Sequence, residues 1–278
     1  MAEETGEVPS WVAGSEYLRP RRRATPARAG TTGGQARRYR VRVAGSALTS
    51  SAAGLLAAAY AAPVVSLLPQ GSLLFPTIRR IGAKDAVALT FDDGPDLGLE
   101  VFLGILEGYG ARATFFVVGE QVERDPSRLR EIVDRGHEVA VHCHRHRNHL
   151  RLSPRQTVGD MRRAKGIIEE ASARPTRLFR PPYGIFNLAS WLEAPRLGWE
   201  RVLWTRWGRD WKAWATPRSI ADKIGYPDPG DVLLLHDSDR YAAPGSWRNT
   251  LWALPIVLER ISSLKLEARP VGELLRTG

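Results

Sequence analysis

The chain has 278 residues, a net charge of +10 and 43% hydrophobic residues. This length suits one large domain or two small ones, and the hydrophobic fraction excludes wholesale disorder and collagen-like structure. The single cysteine, Cys143, excludes an intramolecular disulfide framework and any metal site built from several cysteines.

The first 42 residues form a basic arm. They contain nine arginines and four glutamates, so half of the net charge lies in this short stretch. Such an arm could bind nucleic acid or an anionic membrane, but the segment that follows it favours a basic leader on the cytoplasmic side. We therefore expect residues 1–42 to be disordered, and we expect no nucleic-acid partner.

Residues 43–78 contain no charged side chain and are rich in Ala and Leu. A bilayer span needs about 20 apolar residues, and arginines before the segment with none directly after it match the positive-inside rule. This predicts a membrane anchor or an export signal, with membrane association through 43–68 and the rest of the chain outside the cytoplasm. The small-residue step at Tyr60 and the Arg37-Arg38 pair favour export. Two alternatives stay open, an Ala-rich helix packed on the domain and a cytoplasmic protein, because Gly, Ser, Thr and Pro dilute the hydrophobicity.

Beyond residue 80 short apolar strands alternate with amphipathic helices. The predicted strands cover residues 86–91, 113–119, 138–142, 177–180, 200–207, 231–236 and 268–271. The predicted helices cover residues 100–109, 125–134, 153–172, 217–224 and 247–262. About seven β/α units predict an α/β fold, either a parallel sheet or an incomplete (β/α) barrel, because a full eight-unit barrel usually needs about 250 residues.

Polar side chains follow the predicted strands repeatedly. Asp92 and Asp93 follow the first strand, and Arg180 ends the fourth. Asp210 follows the fifth strand and His236 ends the sixth. In a parallel barrel the functional groups cluster at the C-terminal ends of the strands, so this pattern predicts an active site there.

Histidines are concentrated after the third strand. Five of the six lie between residues 137 and 149, and the sixth is His236. His142 and His146 are four residues apart, which on a helical turn places both imidazoles on one face and suits a metal ion. With a carboxylate from another strand, they would form a two-histidine, one-carboxylate site that leaves positions for water and substrate. Ordinary surface histidines are the alternative.

Five short motifs occur in order along the second part of the chain. They are Thr90-Phe91-Asp92-Asp93-Gly94-Pro95, His142-x-x-x-His146, Arg180-Pro181-Pro182-Tyr183-Gly184, Asp210-Trp211 and Leu234-Leu235-His236. Over residues 84–275 this arrangement resembles the NodB-homology polysaccharide deacetylases, the family 4 carbohydrate esterases. The resemblance implies a distorted (β/α) barrel, TIM-like but incomplete, and a catalytic domain over residues 80–278. It also implies one divalent metal ion and hydrolysis of the N-acetyl group on a sugar such as N-acetylglucosamine.

The same resemblance implies a metal site. Asp93, His142 and His146 would be the ligands. Zinc is the first expectation for the ion, and cobalt or nickel are the alternatives. The ion would polarise the acetyl carbonyl and lower the pKa of water, as zinc does in hydrolases.

Four residues would move and control protons. By resemblance, Asp92 is the general base and His236 the general acid, for which a pKa near neutrality is suitable. Arg180 would hold Asp92 in place. Asp210 would orient His236 and favour its charged form.

Three residues would face the substrate. The backbone amide of Tyr183 would help to stabilise the oxyanion, and Trp211 and Leu234 would shape a pocket for the acetyl methyl group. Asp237 is expected to cap a strand end. The remaining tryptophans of this region are expected to pack in the core or at its rim: Trp204, Trp207 and Trp214.

One position departs from the family pattern. Family members commonly carry Ser or Thr after the first ligand histidine, where the hydroxyl braces the loop, whereas this chain has Cys143, a weaker donor. The departure puts loop rigidity and metal choice in question. A further hypothesis is that a thiol beside a metal ligand makes the site sensitive to oxidation.

The leading interpretation is a metal-dependent hydrolase that deacetylates an N-acetylated glycan at the cell envelope. One alternative keeps the barrel chemistry and acts on a non-sugar C–N bond. A second is a sugar-binding relative without catalysis, and a third is a nucleic-acid binder that uses the basic arm. The sequence specifies neither the glycan nor the oligomeric state.

Overall fold

A computed structural model describes residues 42–277, with side-chain surroundings from residue 52 onward. Two units are distinguished, Met1–Thr49 and Ser50–Gly278, and every side chain discussed below belongs to the second. Residues 1–41 of the predicted disordered arm lie outside the described residues.

Within the described range, eight strands form one curled sheet in which every paired strand is parallel. They are β1 (Ala86–Asp92), β2 (Thr114–Val118), β3 (Glu138–Cys143), β4 (Leu178–Phe179), β5 (Glu200–Arg201), β6 (Arg206–Trp207), β7 (Val232–His236) and β8 (Glu267–Arg269). Seven follow the order β5-β4-β3-β2-β1-β7-β6, and β8 pairs with β1. The predicted α/β fold with an incomplete barrel of about seven strands is confirmed.

The described helices are α1 (Arg42–Ala61), α2 (Leu99–Gly108), α3 (Gly119–Arg124), α4 (Pro126–Asp134), α5 (Pro154–Ser172), α6 (Leu188–Arg196), α7 (Pro217–Ile224), α8 (Ser246–Ser263) and α9 (Val271–Thr277). Local capping explains why two of them begin where the sequence predicts. Asp125 accepts the Ser127 amide ahead of α4, and Ser153 and Gln156 form a capping box at the start of α5. Helices α3, α6 and α9 are not among the predicted elements, because they are short and α6 contains a proline.

The prediction of one strand over residues 200–207 is wrong. The segment forms two short strands, and they pair at opposite ends of the strand order, β5 with β4 and β6 with β7. Between them Val202 bridges to Ile78, and the Thr205 amide donates to the Val232 carbonyl. One segment of eight residues thus pairs at both ends of the curled sheet, and a local pattern cannot reveal that change of neighbour.

The strands present alternate residues to two apolar clusters. The first cluster, which contains most of the helix side chains, receives from β1 the residues Val87, Leu89 and Phe91. The second cluster receives the small residues Ala86 and Ala88, which meet Phe116 from β2. With a period of two, the second face continues through Thr90 to Asp92, both buried. The face of β1 that carries small apolar residues at its start therefore carries the Asp92 carboxylate at its end.

The uncharged segment 43–78 does not form a single helix. After α1, two 3₁₀ turns follow, Ala62–Leu67 and Pro69–Leu73. Arg79 donates to two carbonyl groups of the first turn, at 2.8 and 3.0 Å, and the Tyr60 hydroxyl donates to the Leu152 carbonyl at 2.8 Å. Among the described helices, none combines the length and the apolar character needed to cross a membrane.

Candidate active site

The strand ends bring the polar motif residues around one opening. Asp92 and His236 are register partners on the adjacent strands β1 and β7. His142 lies near the end of β3, and Arg180 directly follows β4. Because these strands are parallel, the four side chains meet at the C-terminal mouth of the barrel.

Arg180 is fully buried and holds Asp92 in an ion pair. Its Nη1 donates to Oδ1 of Asp92 at 2.6 Å and to the Thr90 hydroxyl at 2.9 Å. Its Nη2 donates to the Leu203 carbonyl at 3.0 Å, and its guanidinium carbon lies 4.0 Å from the ring centre of Phe116. Removing two charges from water is costly, and this set of contacts offsets the cost. The pair fixes one oxygen of Asp92 and leaves Oδ2 outside it.

Asp93, His142 and His146 form a compact cluster with metal-binding chemistry. Oδ1 of Asp93 lies 3.4 Å from Nε2 of His142 and 3.3 Å from Nε2 of His146. The three candidate ligand atoms all lie within 4.8 Å of one another. The structure thus brings together the three residues that the sequence predicts as ligands.

The donor set of this cluster fits a divalent ion. Oδ1 of Asp93 is buried and has no hydrogen-bond partner. Nδ1 of His142 donates to the Arg180 carbonyl at 2.8 Å, which leaves the lone pair of its Nε2 facing Asp93. An orphaned carboxylate oxygen opposite two imidazole nitrogens matches the two-histidine, one-carboxylate arrangement.

Electrostatics favour the protonation states that metal binding requires. Burial by itself would raise the pKa of Asp93, but the close approach of His142 and the charges of the surrounding histidines outweigh it and lower the pKa to about 2. Burial lowers the pKa of His146 to about 4, against the opposing charge of Asp93. At neutral pH these groups are a carboxylate and a neutral imidazole, the forms that bind metal ions.

A tight turn separates the two adjacent carboxylates. Asp93 has a left-handed φ of 83°, which turns its side chain away from that of Asp92. Oδ1 of Asp237 accepts the Gly94 amide at 3.1 Å, in line with the expected capping role. A Cβ atom at Gly94 would lie 2.0 Å from an Asp237 oxygen, so the turn requires glycine there.

Asp160 of α5 braces the loop that carries His146. Its Oδ2 accepts the backbone amide of His144 at 2.8 Å, and its Oδ1 accepts the Arg145 amide at 3.3 Å and Nη2 of Arg147 at 2.8 Å. Asp160 is 5% exposed. Asp160 is not among the predicted site residues, although an acid on the apolar side of a helix is a signal that could have revealed it. These hydrogen bonds hold the loop in place, although position 143 carries Cys instead of Ser or Thr.

We expect Asp160→Asn to weaken divalent-metal binding about tenfold or more. The amide keeps the shape but offers one acceptor oxygen in place of two and no charge for Arg147. Calorimetric titration of the purified chain with zinc would measure this. Asp134→Asn, at an exposed position, is the matched control. Unchanged affinity in Asp160→Asn would contradict the bracing role.

Cys143 lies in surroundings that oppose the oxidation hypothesis. The residue is 0% exposed, and burial, followed by the charge of Asp160, raises the pKa of its thiol well above the usual value. A buried neutral thiol reacts slowly because the thiolate is the reactive form. We expect brief peroxide treatment to leave the mass of the native chain and its activity unchanged. Rapid gain of oxygen at Cys143 with loss of activity would restore the hypothesis.

His236 is paired with Asp210. Its Nδ1 donates to Oδ1 of Asp210 at 2.8 Å, while Oδ2 accepts the His236 backbone amide at 2.7 Å and the Thr250 hydroxyl at 2.9 Å. The other ring nitrogen, Nε2, is therefore the one whose proton can be transferred. Burial would lower the pKa of His236, but the charge and hydrogen bond of Asp210 outweigh it and raise the pKa to about 10. The imidazole is therefore protonated at neutral pH.

A cavity of about 190 Å³ opens beside these groups. Asp92, His236 and the three residues of the candidate metal cluster line it. It is also lined by the residues expected to face the substrate, Tyr183, Trp211 and Leu234. The two other predicted site residues, Arg180 and Asp210, lie behind the groups that they hold.

Tyr183 presents its backbone to this cavity in an unusual conformation. It has φ 61° and ψ 7°, and its side chain reaches solvent with 53% exposure. Its ring meets that of His146 edge-on, with centroids 4.7 Å apart. Its backbone belongs to the turn Pro182–Gly184 at the edge of the cavity, where the sequence predicts the oxyanion.

Two tryptophans expected only to pack also line the cavity. Trp204 and Trp207 continue the aromatic wall from Trp211, with centroid distances of 5.6 Å between the first two and 5.1 Å between Trp207 and Trp211. Trp204 also packs against the core, so the packing expectation holds for it in part. Trp214 lies outside the cavity and is 61% exposed.

Tyr241, which is not among the predicted site residues, stacks on a candidate metal ligand. Its ring lies parallel to that of His146, with centroids 4.4 Å apart and planes inclined by 16°. Its hydroxyl donates to Glu120 at 2.5 Å and accepts from Gln121 at 2.8 Å. Tyr241 belongs to an irregular loop after β7, and no sequence pattern marks it.

The surface-histidine alternative for His142 and His146 is wrong, because their side chains are 2% and 6% exposed. The remaining three histidines lie outside the cavity and are also buried. They are His137, His144 and His149. Nδ1 of His137 accepts the Ala113 amide at 3.2 Å, and both ring nitrogens of His149 lack a partner. Burial lowers the pKa of His137 to about 4 and that of His149 to about 3, so both are neutral.

Comparison with known protein families gives one consistent result. The sequence model described as "Polysaccharide deacetylase" matches residues 79–202. A peptidoglycan-N-acetylglucosamine deacetylase of Bacillus cereus is 34% identical over 195 residues, which cover 68% of this chain and 88% of the relative. A chitooligosaccharide deacetylase of Bradyrhizobium is 30% identical over 212 residues, which cover 72% of this chain and 97% of the relative.

Solved structures agree with the fold. A family 4 carbohydrate esterase from Streptomyces lividans, in complex with acetate, is 30% identical and superposes with a TM-score of 0.61. The match covers 67% of this chain and 93% of that one.

Proposed function

Since this chain belongs to the polysaccharide deacetylase family, the family 4 carbohydrate esterases, we propose that it hydrolyses the N-acetyl group of an N-acetylated glycan and releases acetate. Such a hydrolase acts on a carbon–nitrogen bond that is not a peptide bond. The observation that carries the proposal is the arrangement around one cavity of a metal-binding cluster, a buried carboxylate and a charged histidine.

In the proposed mechanism Asp93, His142 and His146 would hold one divalent ion; zinc is the first expectation and cobalt or nickel are the alternatives, since imidazole and carboxylate donors suit all three. When bound, such an ion polarises the acetyl carbonyl and lowers the pKa of water. The rest of the chemistry is assigned to side chains and amides of this chain.

Asp92 is the proposed general base. Its Oδ1 is held by Arg180 at 2.6 Å, and its Oδ2 lies 3.9 Å from Nε2 of His142, beside the cluster. The carboxylate is thus oriented so that a water molecule next to the cluster can give it a proton. General base catalysis of this kind contributes about 10²- to 10⁴-fold to rate.

His236 is the proposed general acid. Nδ1 is bound to Asp210, so Nε2 carries the proton that the departing amine receives. The Tyr183 amide would stabilise the developing oxyanion, which needs a donor that is already in place. Trp211 and Leu234 would enclose the acetyl methyl group in the apolar part of the cavity.

A pH profile would test the acid. Because Asp210 raises the pKa of His236 to about 10, the acid form persists well above neutral pH in the wild type. In Asp210→Asn the raising charge is lost, so the pKa of His236 falls and the basic limb of the kcat profile moves to lower pH. We expect kcat at pH 8 to fall about tenfold or more, with partial recovery at pH 6. A loss of equal size at both pH values would contradict this assignment.

Acetate release would test the overall function. The full chain, loaded with zinc, is incubated with N-acetylglucosamine oligomers and with peptidoglycan, and free acetate and new amines are quantified. Acetate in equal amount to amine supports the proposal. No acetate from either glycan, from a metal-loaded protein, would contradict it and direct attention to a non-sugar amide or to sugar binding without catalysis.

We also propose a division of the chain into the basic arm 1–42, the uncharged segment 43–78 and the catalytic domain 80–278. The contacts of Tyr60 and Arg79 support packing of the later part of the uncharged segment on the domain. The charge distribution supports export or membrane association through 43–68. Fractionation of cells that express the full chain, beside a variant lacking residues 1–49, tests this: equal distribution of the two proteins would contradict it.

A further inference from the structure

Residues 60–67, which precede the first strand, pack against two of the loops that form the candidate active site. We call this stretch the N-terminal strap. Its first contact is with the turn Pro182–Gly184, which carries the proposed oxyanion donor. A Cβ atom at Gly184 would lie 3.0 Å from Cδ2 of Leu67 and 2.7 Å from the ring of Trp204. The backbone of Gly184 therefore fits against Leu67 with no room for a side chain.

Arg79 fixes the position of Leu67. Its Nη1 donates to the Ser66 carbonyl at 2.8 Å and to the Leu67 carbonyl at 3.0 Å. The residue before it, Ile78, is joined to the sheet, because its carbonyl accepts the Leu203 amide at 2.8 Å. The strap is thus tied to the sheet at the connection between β5 and β6.

The strap also contacts the loop between β3 and α5, which carries a candidate metal ligand. The Tyr60 hydroxyl donates to the Leu152 carbonyl, as described above, and accepts from Nδ2 of Asn187 at 2.6 Å. The same Nδ2 donates to the His149 carbonyl at 2.7 Å. Asn187 is fully buried and lies three residues after Gly184. One amide side chain thus joins the strap, the metal loop and the chain that leaves the oxyanion turn.

The turn that the strap contacts has an unusual backbone. Tyr183 and Gly184 both have a positive φ, 61° and 69°. A residue other than glycine keeps such a φ only where the surrounding structure determines it, and packing at Gly184 supplies part of that constraint. Gly184 lines the catalytic cavity, whereas Leu67 does not. Leu67 can therefore influence the reaction only through the turn.

We infer that the N-terminal strap sets the position of the Tyr183 amide, and that Leu67 is a positioning residue for the oxyanion. The inference rests on the proposed function and gives a role to a segment that the rest of the mechanism does not use. An oxyanion donor must be in place before charge develops, and a displacement of about 1 Å can lower the rate about 10²-fold. Shortening Leu67 would leave a gap behind Gly184, into which the turn can move.

Kinetics of the full chain loaded with zinc test the inference. Leu67→Ala is expected to lower kcat on N-acetylglucosamine oligomers about tenfold, with little change in KM. The oxyanion forms only in the transition state, so a displaced donor affects kcat and spares the binding of substrate. Leu67→Met, which nearly conserves the volume, should restore kcat. A rise in KM with an unchanged kcat in Leu67→Ala would overturn the inference.

Phe75→Ala is the matched control. Phe75 is half-buried, belongs to the same part of the chain and packs edge-on against Trp191, with ring centroids 5.1 Å apart. Like Leu67, it packs against the larger apolar cluster, so both alanine variants lose buried apolar surface and should melt at a lower temperature. Only Leu67→Ala should lose kcat. Equal losses of kcat in both variants would show a purely structural role and overturn the inference.

Amide hydrogen exchange tests the inference independently of turnover. The amides of residues 183–185, read by mass spectrometry from overlapping peptides, should exchange about tenfold faster in Leu67→Ala than in the wild type, because the turn opens more readily. Phe75→Ala should leave them unchanged. Equal exchange in all three proteins would overturn the role of the strap even if the wild type releases acetate. Faster exchange confined to Leu67→Ala would support that role even if no glycan were deacetylated and the proposed function had failed.

Discussion

Asp92→Asn is expected to lower kcat by about 10²- to 10⁴-fold while the chain still binds its metal ion. Asparagine keeps an oxygen that accepts from Arg180, but it cannot take a proton from water at neutral pH. The variant therefore keeps the packing around residue 92 but lacks the general base. Metal content by mass spectrometry and acetate release, measured on the same preparation, would separate the two.

The same substitution leaves the buried guanidinium of Arg180 without its counter-charge. Breaking a buried pair costs about 3–5 kcal/mol, so the melting temperature should fall, and activity must be measured well below it. Asp85→Asn, at an exposed carboxylate, is the control. Loss of the metal from folded Asp92→Asn protein would mean that the base and the carboxylate ligand have been exchanged in our assignment.

The double variant His142→Ala/His146→Ala is expected to lose both its metal ion and all measurable activity. It removes two of the three atoms that converge on one point and leaves Asp93 alone, which is too few ligands for a structural or catalytic zinc site. About one zinc, cobalt or nickel ion per wild-type chain and none in the variant is the expected result.

His144→Ala is the matched control for this experiment. His144 lies on the same loop and is buried, but its Nε2 faces Glu123 at 3.8 Å and it does not line the cavity. It should therefore keep the metal ion. A full metal complement in the double variant, or no metal in the wild type after divalent ions are added, would contradict the proposed site.

The positions that the sequence predicts well are those set by strand period. Asp92 and His236 end their strands and His142 lies one residue before the end of its own. Alternate residues of the same three strands belong to the second apolar cluster, so a period of two and a common strand direction suffice to bring the three side chains together. Ser153 and Asp125 likewise mark helix starts through contacts within a few residues. These features depend on local geometry, which the local sequence alone is enough to predict.

The features that the sequence does not predict depend on partners far along the chain. Tyr241 stacks on His146 from a loop almost a hundred residues later. The segment at 200–207 divides because its two ends pair with different strands. A local sequence pattern does not predict these pairings, because they form only when distant segments of the chain come together.

Arg180 contacts two residues of the site, one through its side chain and the other through its backbone. Its guanidinium orients Asp92, and its main-chain carbonyl fixes which nitrogen of His142 carries hydrogen. A substitution can alter only the former, because every residue type brings the same carbonyl. A single codon change at position 180 would therefore uncouple turnover from metal loading and yield a chain that still takes up its ion but has no oriented base. A protein of this fold that keeps the ion and binds sugars without hydrolysing them would differ from this chain by only that substitution.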